Sequence, residues 1–197
     1  MDRTPICSPP ATQAQLADLL RVRATWLSYV AFAVCVQRVL ASQGYEEIRM
    51  LSNSATGGRK PLGGADMDAL APQPLGRVAA LIQIKRHARS VPRRCVDEFR
   101  GTLVRYDVPH GVTVTTSVFS LRARESAVRH KGRTIRLVDG SELGCLMLAA
   151  RLGVTEEIDI ETGMTRLRFN EESFRNLEEF CKRLRHAVPP YPLMTNP

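Results

Sequence analysis

Several things are scarce in this chain of 197 residues, and each scarcity excludes something. The five cysteines, Cys7, Cys35, Cys95, Cys145 and Cys181, are odd in number, scattered, and form no C-x-x-C pair. That is the usage of a protein kept in a reducing cytosol, and it argues against a zinc site; a cytoplasmic location is expected. The four histidines do not cluster with the cysteines. Long hydrophobic runs are missing too. The first ten residues, MDRTPICSPP, lack the apolar centre of a secretory signal. The most apolar stretch, Trp26 to Leu40, is short and interrupted by Gln37 and Arg38, so a buried amphipathic helix is expected and no membrane span. Acidic residues are outnumbered 20 to 28, giving a net charge of +8. An excess led by arginine suits an anionic partner, nucleic acid ahead of membrane, because the guanidinium fork matches phosphate oxygens. No internal repeat is present.

What remains is an ordinary globular composition, 44% hydrophobic and 24% charged, long enough for one domain with a real core plus small appendages. Residues 1–11 are rich in Pro and Ser. Apolar spacing at Leu16, Leu19 and Leu20 predicts a helix from Thr12 or Ala14 to about Arg23. A second helix is predicted from about Thr25 to Ser42, burying Trp26, Tyr29, Val30, Ala33, Val36, Val39 and Leu40, with Gly44 as its stop. A strand follows over Tyr45 to Leu51, then a Gly- and Ser-rich loop, 52–64, carrying Arg59 and Lys60. Further on, the pattern predicts a hairpin over 65–86, a helix over Val91 to Tyr106 and a buried β-branched strand over Gly111 to Thr116. Next come a helix over Ser120 to Lys131, a strand over Thr134 to Val138, and a helix over Ser141 to Leu152 capped by Ser141. Residues 154–170 can add an edge hairpin, and Asn170 caps a final helix from Glu171 to about His186. The order β-β-β-α-β-α-β-α implies an α/β fold with a mixed sheet.

The chemistry concentrates in Ala65 to Arg86, GADMDALAPQPLGRVAALIQIKR when Gly64 is included. One strand carries Asp66 and Asp68, the other Gln83 and Lys85. Strand alternation puts Gln83 and Lys85 on one face and Ile82 and Ile84 on the other. Placing a carboxylate, an amide and a lysine beside apolar strands is expensive unless they serve a purpose. Phosphodiester hydrolysis is such a purpose. It needs hard oxygen ligands for a divalent cation, with an aspartate, the Gln83 side-chain oxygen and the Ile84 carbonyl available here. It also needs a positive group against the charge of the transition state, a role open to Lys85. The spacing alone is weak: Asp66 and Asp68 can equally be solvated turn carboxylates, and Lys85 can snorkel at a strand end. Regular pairing about a turn near Pro74 puts Asp68 opposite Ala80 or Leu81 and Asp66 opposite Ile82 or Gln83, so either the strand is bulged or the turn offset, or Asp66 is the better ligand. Around the hairpin, Arg59, Lys60, Arg86, His87, Arg89, Arg93 and Arg94 form a candidate phosphate-contacting set, although each singly reads as a solvated charge.

Over about residues 26–170 this pattern resembles the Mrr-type restriction endonuclease catalytic domain, a branch of the PD-(D/E)xK nucleases. Asp68-Ala69-Leu70-Ala71 looks like the family's acidic strand and Gln83-Ile84-Lys85 like its QxK. EFRGTL from Glu98, VTVTTSVFSLRARESA from Val112, IRLVDGSELGCLM from Ile135 and LRFNEESF from Leu167 are similar to later family segments, in order. The resemblance implies a restriction-endonuclease-like mixed central β-sheet flanked by helices, spanning 25–170, with 1–24 and 171–197 as appendages. It implies Mg²⁺-dependent (or Mn²⁺-dependent) cleavage of double-stranded DNA, in restriction, defence or mobile-element processing, by a homodimer or with a recognition subunit. Asp68, Gln83 and Lys85 are the implied catalytic residues. Asp68 is preferred to Asp66 because the family wants an apolar residue two positions on, which Leu70 supplies; Gly63-Gly64 pulls toward Asp66. Many members also carry a glutamate early in the preceding helix, and Ser28 to Ala33 holds no acid. The alternative implied by that departure is a nuclease fold that binds DNA without cutting, or that needs a partner.

Overall fold

The computed structural model describes residues 12–51, 64–86, 89–128, 132–158, 160 and 163–187. Arg59, Lys60, His87 and the tail 188–197 lie outside them. The chain begins with α1 (Gln13–Thr25), opened by a capping box in which Thr12 and Gln15 bond each other's backbone N–H. α2 (Tyr29–Ser42) starts four residues later than the apolar pattern suggests. The reason is Ser28, whose extended backbone breaks the helical path and whose hydroxyl accepts from the Ala31 N–H. Trp26 therefore caps the end of α1 instead of lying in a buried helix, and it is 78% exposed. α2 stops where Gly44 takes φ +82°, letting the Tyr45 N–H bond back to the Leu40 carbonyl at 3.1 Å.

The main sheet has the order β1-β2-β3-β4-β5. β1 (Glu46–Met50), β2 (Met67–Gln73) and β3 (Gly76–Lys85) run antiparallel. β3, β4 (His110–Thr115) and β5 (Thr134–Val138) run parallel, joined through α3 (Arg93–Arg105) and α4 (Leu121–Val128). This is the α/β mixed sheet that the pattern implied. The hairpin turn is Pro74-Leu75, and Pro72 falls within β2. α5 (Gly140–Ala149) is capped by Asp139, not Ser141, because it is Asp139 Oδ1 that accepts the Glu142 N–H. β6 (Val154–Ile158) and β7 (Thr165–Phe169) form a separate two-stranded sheet rather than an edge of the main one. α6 (Glu171–Ala187) follows, with Asn170 Oδ1 accepting from the Ser173 N–H.

Two apolar clusters sandwich the sheet. On one face Met67, Ala69, Ile82, Ile84, Val112 and Val114 meet residues of α1, α2, α5 and α6. On the other, Ala65, Leu81 and Ile135 meet α3 and α4 through Val96, Phe99, Leu103 and Ala123. Burying both faces leaves β4 buried without interruption from Gly111 to Thr115, its threonines included.

Candidate active site

The site forms where β3 outruns β2. Met67 pairs with Ile82 and Asp68 with Leu81, so Gln83, Ile84 and Lys85 extend past the start of β2 while staying paired with Thr113, Val114 and Thr115 of β4. Asp66 sits at that boundary, and its backbone departs from regular strand geometry. Its N–H donates to the Ile82 carbonyl at 2.7 Å, toward β3, while its carbonyl accepts from the Leu51 N–H at 2.9 Å, toward the β1 side. A regular strand residue points both groups to the same neighbour. Asp66 and Met67 thus oppose Ile82 together, which is a bulge. Its consequence is visible in the packing. Ala65 enters the cluster with α3 and α4, Met67 enters the opposite one, and Asp66 reaches Tyr29 of α2 on Met67's side.

Asp66 is held at both oxygens. Tyr29 donates its hydroxyl to Oδ1, and the Ile84 N–H donates to Oδ2 at 2.6 Å. The second bond matters because Ile84 is beyond the end of β2, so a side chain replaces the missing ladder partner. Within a strand residue the carbonyl leaves on the same edge as the N–H, which directs the Ile84 carbonyl toward this same space. Burial pushes the Asp66 carboxyl pKa up; the hydrogen bonds from Tyr29 and Ile84 and the nearby charge of Lys85 oppose that shift.

Gln83 is 4% exposed and lies on the face opposite Ile82 and Ile84. Its Nε2 donates to the Gly64 carbonyl at 3.0 Å, and its Oε1 is buried without a hydrogen-bond partner. Gly64 takes φ +94°, and a Cβ there would stand 3.2 Å from Gln83 Nε2, so glycine is the residue that permits this clasp. Thr113, paired with Gln83 across β3 and β4, also has a buried hydroxyl without a partner. An unpartnered buried amide oxygen costs free energy unless something occupies it. A hard cation takes oxygen ligands of this kind; the candidates are Asp66 and the Ile84 carbonyl on the side of α2, with Gln83 Oε1 on the opposite face of β3. Among the described residues no group of three His, Cys, Asp or Glu side chains could hold a metal, so the set contains a single carboxylate.

A restriction endonuclease family model (Mrr_cat) matches residues 25–147, more than half of the chain. The chain belongs to this restriction endonuclease family. Its fold matches the DNA modification-dependent restriction endonuclease AspBHI with a TM-score of 0.52 at 16% identity, over 93% of this chain and 45% of that one. It is also similar to the MspJI restriction endonuclease, solved in complex with a 27-mer oligonucleotide, with a TM-score of 0.47 at 21% identity, over 74% of this chain and 35% of that one. The chain thus spans less than half the length of either protein. No protein of curated function matches the sequence.

Within this family frame, the structure brings Asp66 to Ile84 and near the charge of Lys85 at one sheet edge, while Gln83 binds the Gly64 carbonyl from the other face. Asp68, two residues on, lies apart: both its oxygens are taken by Arg49 of β1, at 3.1 and 3.0 Å. Of the candidate phosphate contacts, Arg86 is tied by its guanidinium to the Leu27 carbonyl. Arg93 pairs with Asp97 at 2.9 Å and Arg94 with Glu98 at 2.6 Å, each one turn along α3. Arg89 is exposed. Tyr29 is the site neighbour that sequence reasoning assigned only to packing. Its one available signal was a hydroxyl-bearing aromatic directly after the Ser28 cap, in the helix turn that holds no acid.

Proposed function

We propose that this domain hydrolyses phosphodiester bonds of double-stranded DNA with Mg²⁺, or Mn²⁺ in its place, bound by Asp66 and the Ile84 carbonyl, with Gln83 Oε1 acting through water. The observation that carries the reading is the partly buried, doubly hydrogen-bonded Asp66 carboxylate within reach of the charge of Lys85. When bound, such a cation supplies polarisation of the phosphate and a lowered pKa for water. The chain's residues do the rest. Asp66 enters the reaction already oriented, since its two donors come from rigid elements. Lys85, half-buried at the end of β3, keeps its ammonium against the developing negative charge. Gly64 and Gln83 clasp the segment leading to Asp66, which fixes the strand boundary where the phosphate must lie. In this reading Asp66 replaces Asp68 as the ligand, because Asp68 is neutralised by Arg49 away from Lys85.

The arginine excess of the chain serves duplex binding, with Arg89, Arg59 and Lys60 as phosphate contacts, the last two outside the described residues. Target choice falls to a second copy or a partner subunit, and the biological role is restriction of foreign or modified DNA or processing of mobile DNA. Among the described residues no cysteine is in a disulfide, which suits the cytoplasm. No described helix is long and apolar enough to cross a membrane.

A second reading has its own observation: one carboxylate is a meagre ligand set. It makes the chain a duplex-binding nuclease fold that cuts only with a partner. Incubating plasmid DNA, methylated and unmethylated, with the protein and Mg²⁺ or Mn²⁺ separates the two. Cleavage that Lys85→Ala and Asp66→Ala abolish supports the enzyme. Salt-sensitive DNA binding without cleavage, and without metal binding by calorimetry, supports the second reading. Cleavage undiminished in a clean Lys85→Ala preparation sinks the site.

A further inference from the structure

Tyr29 packs as a partly buried member of the core under the sheet, and for packing alone its ring needs no hydroxyl. Yet that hydroxyl reaches across from the first turn of α2 to Asp66 Oδ1, which sits on the boundary of β2. The other oxygen, Oδ2, is fixed by a main-chain donor of β3 at 2.6 Å. Two donors on two different elements set both the position and the plane of the carboxylate. Each oxygen keeps a further lone pair, so neither bond blocks a cation.

The position of Tyr29 is itself held from several sides. Ser28 caps α2 through its hydroxyl, and its N–H donates to Glu178 of α6. The Leu27 carbonyl is held by Arg86, the residue after Lys85. The turn that delivers the phenol is thus tied to the end of β3 that carries the lysine. Movement of one relative to the other is resisted by an ion-strength hydrogen bond rather than by apolar contact alone.

We propose that Tyr29 is a positioning residue for the metal-binding carboxylate: its phenol selects which lone pairs Asp66 presents to a divalent cation. This rests on the reading of Asp66 as a ligand. Donors of this kind, one step removed from the metal, change affinity by roughly 10- to 100-fold when removed.

The test is calorimetric titration of Mn²⁺ into the full chain as wild type, Tyr29→Phe and Asp66→Ala, without DNA. The expected result is binding by wild type, binding about tenfold weaker or worse in Tyr29→Phe, and none in Asp66→Ala. A metal-free melting temperature of Tyr29→Phe close to wild type assigns the loss to orientation rather than to folding. Equal Mn²⁺ affinity in wild type and Tyr29→Phe overturns the proposal and leaves the metal site standing. No Mn²⁺ binding by wild type overturns the metal site itself, and this proposal with it. Should Tyr29→Phe fail to fold, wild-type protein labelled with 3-fluorotyrosine decides the matter. Of its four tyrosine resonances, that of Tyr29, assigned by Tyr→Phe changes at the other three positions, moves on saturation with Mg²⁺ if the phenol holds a ligand. A stationary Tyr29 resonance counts against the proposal.

Discussion

Asp66 and Asp68 stand two residues apart on one strand, and strand alternation would give them the same surroundings. The structure gives them different partners at similar, partial burial. Asp66 shares its two oxygens between a phenol and a main-chain amide, and carries a raised pKa. Asp68 is saturated by a bidentate ion pair with Arg49 across the β1–β2 ladder. One extra residue at the boundary of β2 makes the difference. The bulge turns Asp66 to the side of α2, while Asp68 stays paired with Leu81 of β3 and with Arg49 of β1, next to the register shift that β1 makes between Glu46 and Arg49. The lesson concerns cost. A desolvated carboxylate must be held by donors that justify its burial, whereas an exposed ion pair of this kind contributes little and can sit wherever the surface allows.

That contrast can be broken at four points. The largest effect is expected at the site's charges. Lys85→Ala and Asp66→Ala should each lower plasmid cleavage by about a hundredfold or more, the scale on which removal of a transition-state electrostatic partner acts. Gln83→Glu should come next. It adds a charge to the ligand set, so Mn²⁺ binding followed by calorimetry should tighten by roughly tenfold. The same change sets a carboxylate against the Gly64 carbonyl, so the metal-free protein should melt earlier.

Asp66→Asn should shift stability in a pH-dependent way. A carboxyl whose pKa is raised on folding contributes stability that is fully present below its unfolded value and lost as pH rises through the folded value. Without metal, Asp66→Asn should therefore melt a few degrees above wild type at neutral pH, by about 2–4 °C. The gap should close as pH falls below the ordinary carboxylate range, where wild type is also neutral at this position. A gap that widened in acid would contradict the burial assigned to Asp66. The smallest effect belongs to Asp68→Ala, which should leave cleavage within about twofold of wild type and the melting temperature within about 2 °C. Loss of cleavage in Asp68→Ala with activity kept in Asp66→Ala would reverse the assignment made here.

Much of the fold was legible from local pattern because most segments obey a single rule. The Gly44 stop, the β-branched run in β4 and the Asn170 cap lie where spacing and capping chemistry put them. Two departures have physical causes. Ser28 competes as a cap inside an otherwise continuous apolar pattern, which splits the helix and leaves Trp26 exposed. Asp139 outcompetes Ser141 because its carboxylate accepts the free N–H of Glu142 one turn later. The Gln83-x-Lys85 pair was visible as alternation. The aspartate was visible only as a choice between Asp68 and Asp66, because a bulge has no composition of its own and arises from how β2 meets both neighbours.

By itself, then, the sequence determined the α/β class, the order of elements and the hairpin carrying the polar residues, which follow from periodicity and capping within short windows, and it carried the motifs on which the family resemblance rests. Only the tertiary structure decided which aspartate meets the lysine, that Tyr29 of a distant helix holds it, and that Arg86 is spent on Leu27. Those outcomes depend on contacts 37, 18 and 59 residues apart. No local rule fixes such contacts; the packing of α2 against the sheet does.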